Sequence, residues 1–173
     1  AIFKKEAAFY KKRGGNVLWV GHPMIDLTKK LPLKKDARTI LNLRSNQNIL
    51  LLMPASRPQE LRYVLPTFMK AAKKLQQKYP SLVVYIPSCR SSFDEIFKKA
   101  FRKYQVKGHV ISQKDSAKLK PYIYSLTKIA FCKSGTVNME LALYGIPQIV
   151  GYRVSRVTAF IAKKILNFKV RFI

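Results

Sequence analysis

The feature that most constrains this chain is an alternation. Short, almost wholly apolar runs are separated by longer stretches whose apolar residues recur every three or four positions. The runs are NILLLMP (48–54), SLVVYIPS (81–88), GHVIS (108–112), KIAFCK (128–133) and IPQIVGYR (146–153). A strand buried on both faces reads this way, because it has no solvent side on which to alternate. Between them, VLPTFMKAAKKLQQKYP (64–80) and SSFDEIFKKAFRKYQ (91–105) carry helical spacing, with Ser92 the expected N-cap of the second. DSAKLKPYIYSLT (115–127) reads as a helix or turn interrupted by Pro121, and SGTVNMELALYG (134–145) as a further helix. Strand and helix in strict succession build βαβ units, which set the strands parallel and the helices on both faces. The expected class is α/β, with a doubly wound, mostly parallel sheet.

The ends follow the same pattern. EAAFYKKRGG (6–15) reads as a short helix with a Gly-Gly stop, NVLWV (16–20) as a strand, and ARTILNL (37–43) as a short helix after a Lys-rich loop. RVTAFIAKKILNF (156–168) reads as a last amphipathic helix and KVRFI (169–173) as a last strand. Val154, Val157, Ile161, Ile165 and Phe168 form one stripe, with Lys163 and Lys164 off it. Such a helix either covers a core or rests at a lipid interface. The 173 residues suit one domain, and 48% hydrophobic content is ample for a core. The absence of a starting Met and a strand-like ending lead us to expect a piece of a longer protein, with an N-terminal partner domain and some C-terminal structure missing. Cys89 and Cys132 lack metal-binding spacing and are expected to be free thiols.

Lys and Arg number 34 against eight Asp and Glu, a formal charge of +26. Two explanations stand: an anionic partner, or a Lys-rich composition that decorates every solvent face. The lysines are dispersed as pairs rather than blocks, which fits solvated helix faces better than a nucleic-acid arm.

In a doubly wound sheet, ligands bind beyond the C-terminal ends of the strands. That rule selects the loops after 53, 86, 112 and 132. Ser134-Gly135-Thr136 follows a strand and opens a helix, where unpaired first-turn amides and the helix dipole favour an anion. Glu140, four residues after Thr136, shares its helix face and would suit the two hydroxyls of a ribose. An ordinary capped helix with a favourably placed acid explains the same residues. Ser56 and Arg57 follow the apolar run 49–53, and a guanidinium there suits phosphate oxygens. His22 just precedes Pro23 and would line a cleft or serve structure, and His109 reads as structural. The two isolated histidines argue against a metal site, and neither a Walker pattern nor G-x-G-x-x-G is present.

Three stretches in order resemble the lipid-A-disaccharide synthases: Val20-Gly21-His22-Pro23-Met24-Ile25-Asp26, LLLMPASRPQELRYVLP (50–66) and SGTVNMELALYGIPQIVGYRVSRVTAFIAKKIL (134–166). These are bacterial inverting glycosyltransferases of the GT-B type, with two Rossmann-like domains facing a cleft. The resemblance implies that residues 1–21 are a hinge or interdomain segment and 22–173 the C-terminal, donor-binding domain. It implies transfer of 2,3-diacylglucosamine from UDP-2,3-diacylglucosamine to 2,3-diacylglucosamine 1-phosphate with release of UDP, without metal or cofactor. It further implies a peripheral position on the cytoplasmic face of the bacterial plasma membrane, and no nucleic-acid partner. Ser56 and Arg57 match the family's Gly-Ser-Arg loop, Ser134, Gly135 and Thr136 its diphosphate turn, and Glu140 its ribose acid. Backbone from Val110 to Ser112 is expected near the uracil, and Arg153 in the VGYR stretch is a further candidate. Ala55 stands where the family commonly has Gly, so the loop is expected to avoid positive φ there. The general base is expected in the N-terminal domain. Alternatives are another GT-B UDP-sugar enzyme, such as a peptidoglycan transferase or an epimerase, and a basic nucleic-acid-binding α/β module.

Overall fold

The computed structural model describes residues 1–28, 30–54 and 56–153. Three short helices come first: α1 (Lys4–Lys11), α2 (Pro23–Leu27) and α3 (Lys34–Ile40). Strand and helix then alternate: β1 (Asn48–Met53), α4 (Pro58–Lys78), β2 (Leu82–Pro87), α5 (Ser91–Tyr104), β3 (Gly108–Ile111), α6 (Gln113–Leu126), β4 (Thr127–Cys132), α7 (Thr136–Leu143) and β5 (Gln148–Val150). The strands form one sheet in the order β3-β2-β1-β4-β5, and every pair is parallel.

Period-two alternation divides the apolar runs between two cores. Leu50, Leu52, Val84 and Ile86 face α4 and α5, meeting Phe68, Met69, Phe93 and Phe97. Ile49, Leu51, Val83, Tyr85 and Ala130 face the other way, against Ala37 of α3, Ile123 and Tyr124 of α6 and Leu141 of α7. The doubly wound reading therefore holds, and it explains why β1 and β2, buried on both sides, show no polar face.

Two prolines lie inside helices without ending them. Pro66 sits in α4 and Pro121 in α6, which runs unbroken through the position where the sequence suggests an interruption. An interior proline costs about 3 kcal/mol. In α4, burial of Leu61, Val64, Leu65, Phe68 and Met69 stabilises by roughly 1.5–3 kcal/mol per large side chain, so packing outweighs it. Gln76, one of the few buried polar residues, ties the far end of α4 to the sheet. Its Nε2 donates to the carbonyls of Leu82 and Lys107 at 2.9 and 2.6 Å, and its Oε1 accepts from the Lys107 amide at 2.9 Å.

Two local expectations are corrected, and one short helix is unforeseen. NVLWV is not a strand. It folds back on the chain start, with Val20 N donating to Ala1 O at 3.1 Å and Trp19 Nε1 to Ile2 O at 3.3 Å, and it leaves Leu18, Trp19 and Val20 exposed. An apolar run without a neighbouring strand edge cannot satisfy its backbone in a ladder. Ser92 is not the α5 cap, since the N-cap is Arg90, with no side-chain bond, and Ser92 lies inside the helix. Pro23–Leu27 forms the short helix α2, capped by His22, in a stretch whose spacing signals no helix. The last helix and strand, with the Val154–Phe168 stripe, lie outside the described residues, as does Ala55.

Candidate functional site

β1 and β4 are neighbours in the sheet, yet the helices that follow them pack on opposite faces, α4 in one core and α7 in the other. The crevice between such strands is the switch point where doubly wound sheets hold ligands. A cavity of about 260 Å³ opens there. Met53, Pro54 and Ser56 line it from the end of β1, Pro87 and Cys89 from the end of β2, and Lys133 to Val137 from the end of β4. Phe97, Lys120 and Glu140 complete the wall.

The Ser134–Thr136 turn is braced from behind. Asn138 Oδ1 accepts from the Gly135 amide at 2.7 Å, and Asn138 Nδ2 donates to Gln148 Oε1 at 2.8 Å and lies 3.1 Å from Cys132 Sγ. Gln148 Nε2 donates back to the Asn138 carbonyl at 2.9 Å, and the Cys132 thiol donates to Gln148 Oε1 at 3.2 Å. Burial pushes the Cys132 thiol up to about 11, the Asn138 donor partly opposing it, so it stays protonated as this network requires. One expected anion donor, the Gly135 amide, is thereby committed. Among the described residues the Thr136 and Val137 amides and the Ser134 and Thr136 hydroxyls have no partner. Gly135 is extended, with φ 162°, and space beyond its Cα is open. Its value to the turn is the clear approach to backbone, not an unusual conformation.

Glu140 lies on the same face as Thr136, as the spacing implies, and both line the cavity. It is not a solitary acid. Lys120 Nζ lies 2.7 Å from Oε1, and Tyr124 Oη donates to the same oxygen at 3.0 Å. Burial, then the Glu140 charge, drives the Tyr124 phenol well above its ordinary pKa, which keeps it a donor. The second oxygen, Oε2, has no partner among the described residues. Lys120 and Tyr124 are four apart on α6, one helix face, a spacing visible in the sequence but mute about its partner.

A second ion pair flanks the turn. Lys133 Nζ reaches Glu60 Oε1 of α4 at 2.5 Å. The Lys133 hydrogen bond holds the Glu60 carboxyl below its ordinary range, against the opposing effect of burial. Sequence reasoning missed this pair, because 73 residues separate its members.

The other candidates are less central. Ser56 lines the cavity, whereas Arg57 is the exposed N-cap of α4 and does not. Ser112 caps α6, donating to Asp115 Oδ2 at 2.7 Å and accepting from the Asp115 amide at 3.3 Å, while Val110 lies within β3 opposite Ile86. His22 Nδ1 accepts from the Met24 amide at 3.2 Å in the N-terminal segment. Arg153 donates to Thr67 Oγ1 at 3.2 Å on α4. None of these four lines the cavity. His109 sits on β3 with its ring 5.0 Å from that of Tyr85. Cys89 is exposed and Cys132 buried, neither in a disulfide. Among the described residues no group of three or more His, Cys, Asp or Glu could hold a metal.

Hydroxyls, amides and two ammonium groups beside a carboxylate oxygen suit a ligand that is anionic at one end and hydroxylated at the other. The five-stranded parallel sheet with this cavity at its switch point is the Rossmann-like architecture of a GT-B glycosyltransferase domain. Among solved structures it is similar to UDP-GlcNAc 2-epimerase from Neisseria meningitidis bound to UDP-GlcNAc (TM-score 0.50, 20% identity, 75% of this chain and 35% of that one). It is also similar to the C-terminal CMP-Kdo-binding domain of WaaA from Acinetobacter baumannii (TM-score 0.50, 11% identity, 84% and 76%). The chain belongs to the lipid-A-disaccharide synthetase family, whose model matches residues 1–173. The lipid-A-disaccharide synthases of Prochlorococcus marinus and Gloeothece citriformis are 50% and 36% identical to it over its whole length. The chain spans 44% of the length of each.

Proposed function

We propose that this chain is the donor-binding domain, residues 22–173, of a lipid-A-disaccharide synthase, with residues 1–21 as hinge. The whole protein would transfer 2,3-diacylglucosamine from UDP-2,3-diacylglucosamine to 2,3-diacylglucosamine 1-phosphate and release UDP. The observation that carries the reading is the switch-point cavity itself. Its Ser134–Val137 wall offers unpartnered amides and hydroxyls to a diphosphate, and Glu140 offers Oε2 to ribose hydroxyls across the same space. Ser56 and Arg57 would approach the diphosphate from α4, and the uracil would lie toward the end of β3.

An inverting transfer requires a base to take the proton of the acceptor hydroxyl. The resemblance to the family implies that this base belongs to the N-terminal domain, and on this reading Glu140 serves the ribose instead. The lipid substrates call for work at a membrane surface, on this reading the cytoplasmic face of the bacterial plasma membrane. On this reading the association would be peripheral. Among the described residues no helix is long and apolar enough to cross a membrane.

Calorimetric titration of the whole protein with UDP tests the site. Glu140→Ala is expected to weaken binding about tenfold or more, the cost of a hydrogen bond to a charged group. Arg57→Ala is expected to weaken it severalfold. Affinity that ignores both substitutions removes the assignment. Release of UDP from acylated but not from non-acylated UDP-glucosamine derivatives would support the lipid donor.

A further inference from the structure

Lys133 is a charged cavity residue to which the proposed function assigns no specific contact. It directly follows β4, its amide donates to the Met53 carbonyl at 3.1 Å, and its side chain both lines the cavity and pairs with Glu60. The two side chains are only 20% and 17% exposed, so both charges are largely withdrawn from water. A pair so placed is an expensive way to brace a fold, and β1 and β4 are already joined by their ladder. A carboxylate beside an anion seat also opposes the anion unless a cation stands between them. The other cavity lysine differs, because its partner Glu140 itself faces the ligand.

We propose that Lys133 is an anion-contact residue of this cavity, held on Glu60 while the site is empty and shared with the diphosphate when the site fills. The inference rests on the UDP reading above. An ammonium has three donors, and Glu60 is the one side chain that Lys133 bonds among the described residues. Glu60 acts as the positioning residue: it aims the ammonium in the empty protein and competes with the ligand for it. Because the Lys133 bond is what chiefly lowers the Glu60 pKa, sharing that bond raises it.

The test uses the whole protein, with UDP and inorganic pyrophosphate as probes, and wild type, Lys133→Met, Glu60→Gln and the double variant. Lys133→Met is expected to weaken both probes about tenfold. Glu60→Gln is expected to tighten them about threefold by removing the competitor, and to lose that effect when Lys133 is absent. In the wild type, carbon-13 NMR should show the Glu60 titration midpoint moving upward on saturation with UDP, a measurement that no unstable variant can compromise. Binding that ignores Lys133→Met overturns the inference. So does Glu60→Gln weakening binding as Lys133→Met does, the mark of a mere brace, or a Glu60 midpoint that stays put. Pyrophosphate binding that depends on Lys133 without UDP binding keeps the inference and removes the nucleotide reading. Failure of both probes with the wild type removes the two together.

Discussion

Asn138 uses its whole side chain on structure. Its oxygen holds the Gly135 amide and its nitrogen meets Gln148 and Cys132, so one residue sets the turn that borders the cavity. Asn138→Ala removes the side-chain acceptor of the exposed Gly135 amide and one of the two donors to the part-buried Gln148 oxygen. Each such hydrogen bond contributes about 0.5–1.5 kcal/mol. Calorimetric melting should show a clearly lower Tm, and the same variant should bind UDP more weakly because the turn is no longer held. An unchanged Tm would mean that the network is dispensable. Nothing in the string V-N-M-E announces this role. Its partners lie six and ten residues away and meet only when β5 docks beside β4. Ser134, Thr136 and Glu140 were legible because their relation is local, a turn and one helical repeat. Lys120, Tyr124, Glu60 and Lys133 were not, because each pairs across the fold.

At the scale of elements, apolar runs and helical spacing were enough to predict every strand of the sheet. Burial on both faces accounts for the runs of β1 and β2, whereas β5 is apolar with Ile149 and Val150 exposed among the described residues. NVLWV bears a similar mark without a sheet edge to join, and composition alone does not distinguish the two cases. Of the seven glycines, Gly108, the first residue of β3, leaves the least room for a side chain. A Cβ there would lie 2.1 Å from the Val84 carbonyl oxygen and 2.7 Å from Phe101 Cε1. One contact is backbone of the neighbouring strand and the other a core ring of α5, so neither yields easily. Gly108→Ala should therefore destabilise by about 1–3 kcal/mol, in the range of overpacked cores. Urea denaturation would reveal it, and a midpoint equal to wild type would show that β3 shifts without cost.

For the whole molecule, the charge dominates. Among the described residues ion pairs engage Lys98, Lys120 and Lys133, three of the 34 basic residues in the chain. The chain's excess of 34 Lys and Arg over eight Asp and Glu creates a positive field that an anionic surface would attract, with a reach of about 10 Å at 0.1 M salt. If that field serves the proposed peripheral association, the whole protein should sediment with vesicles containing phosphatidylglycerol and remain in solution with phosphatidylcholine alone. Its binding should fall as salt rises. Equal behaviour with both vesicles would leave the lysines as composition only.

The cavity walls come from loops about eighty positions apart, brought together by the parallel β1–β4 pairing. Parallel, long-range pairing is slow to form because the intervening loop must close first. The β1-α4-β2-α5-β3 portion has most of one core within itself, but the pocket needs β4 in place beside the central strand β1. Ligand capture thus requires the β1–β4 pairing, and a ligand of this cavity would stabilise only chains in which that pairing is made.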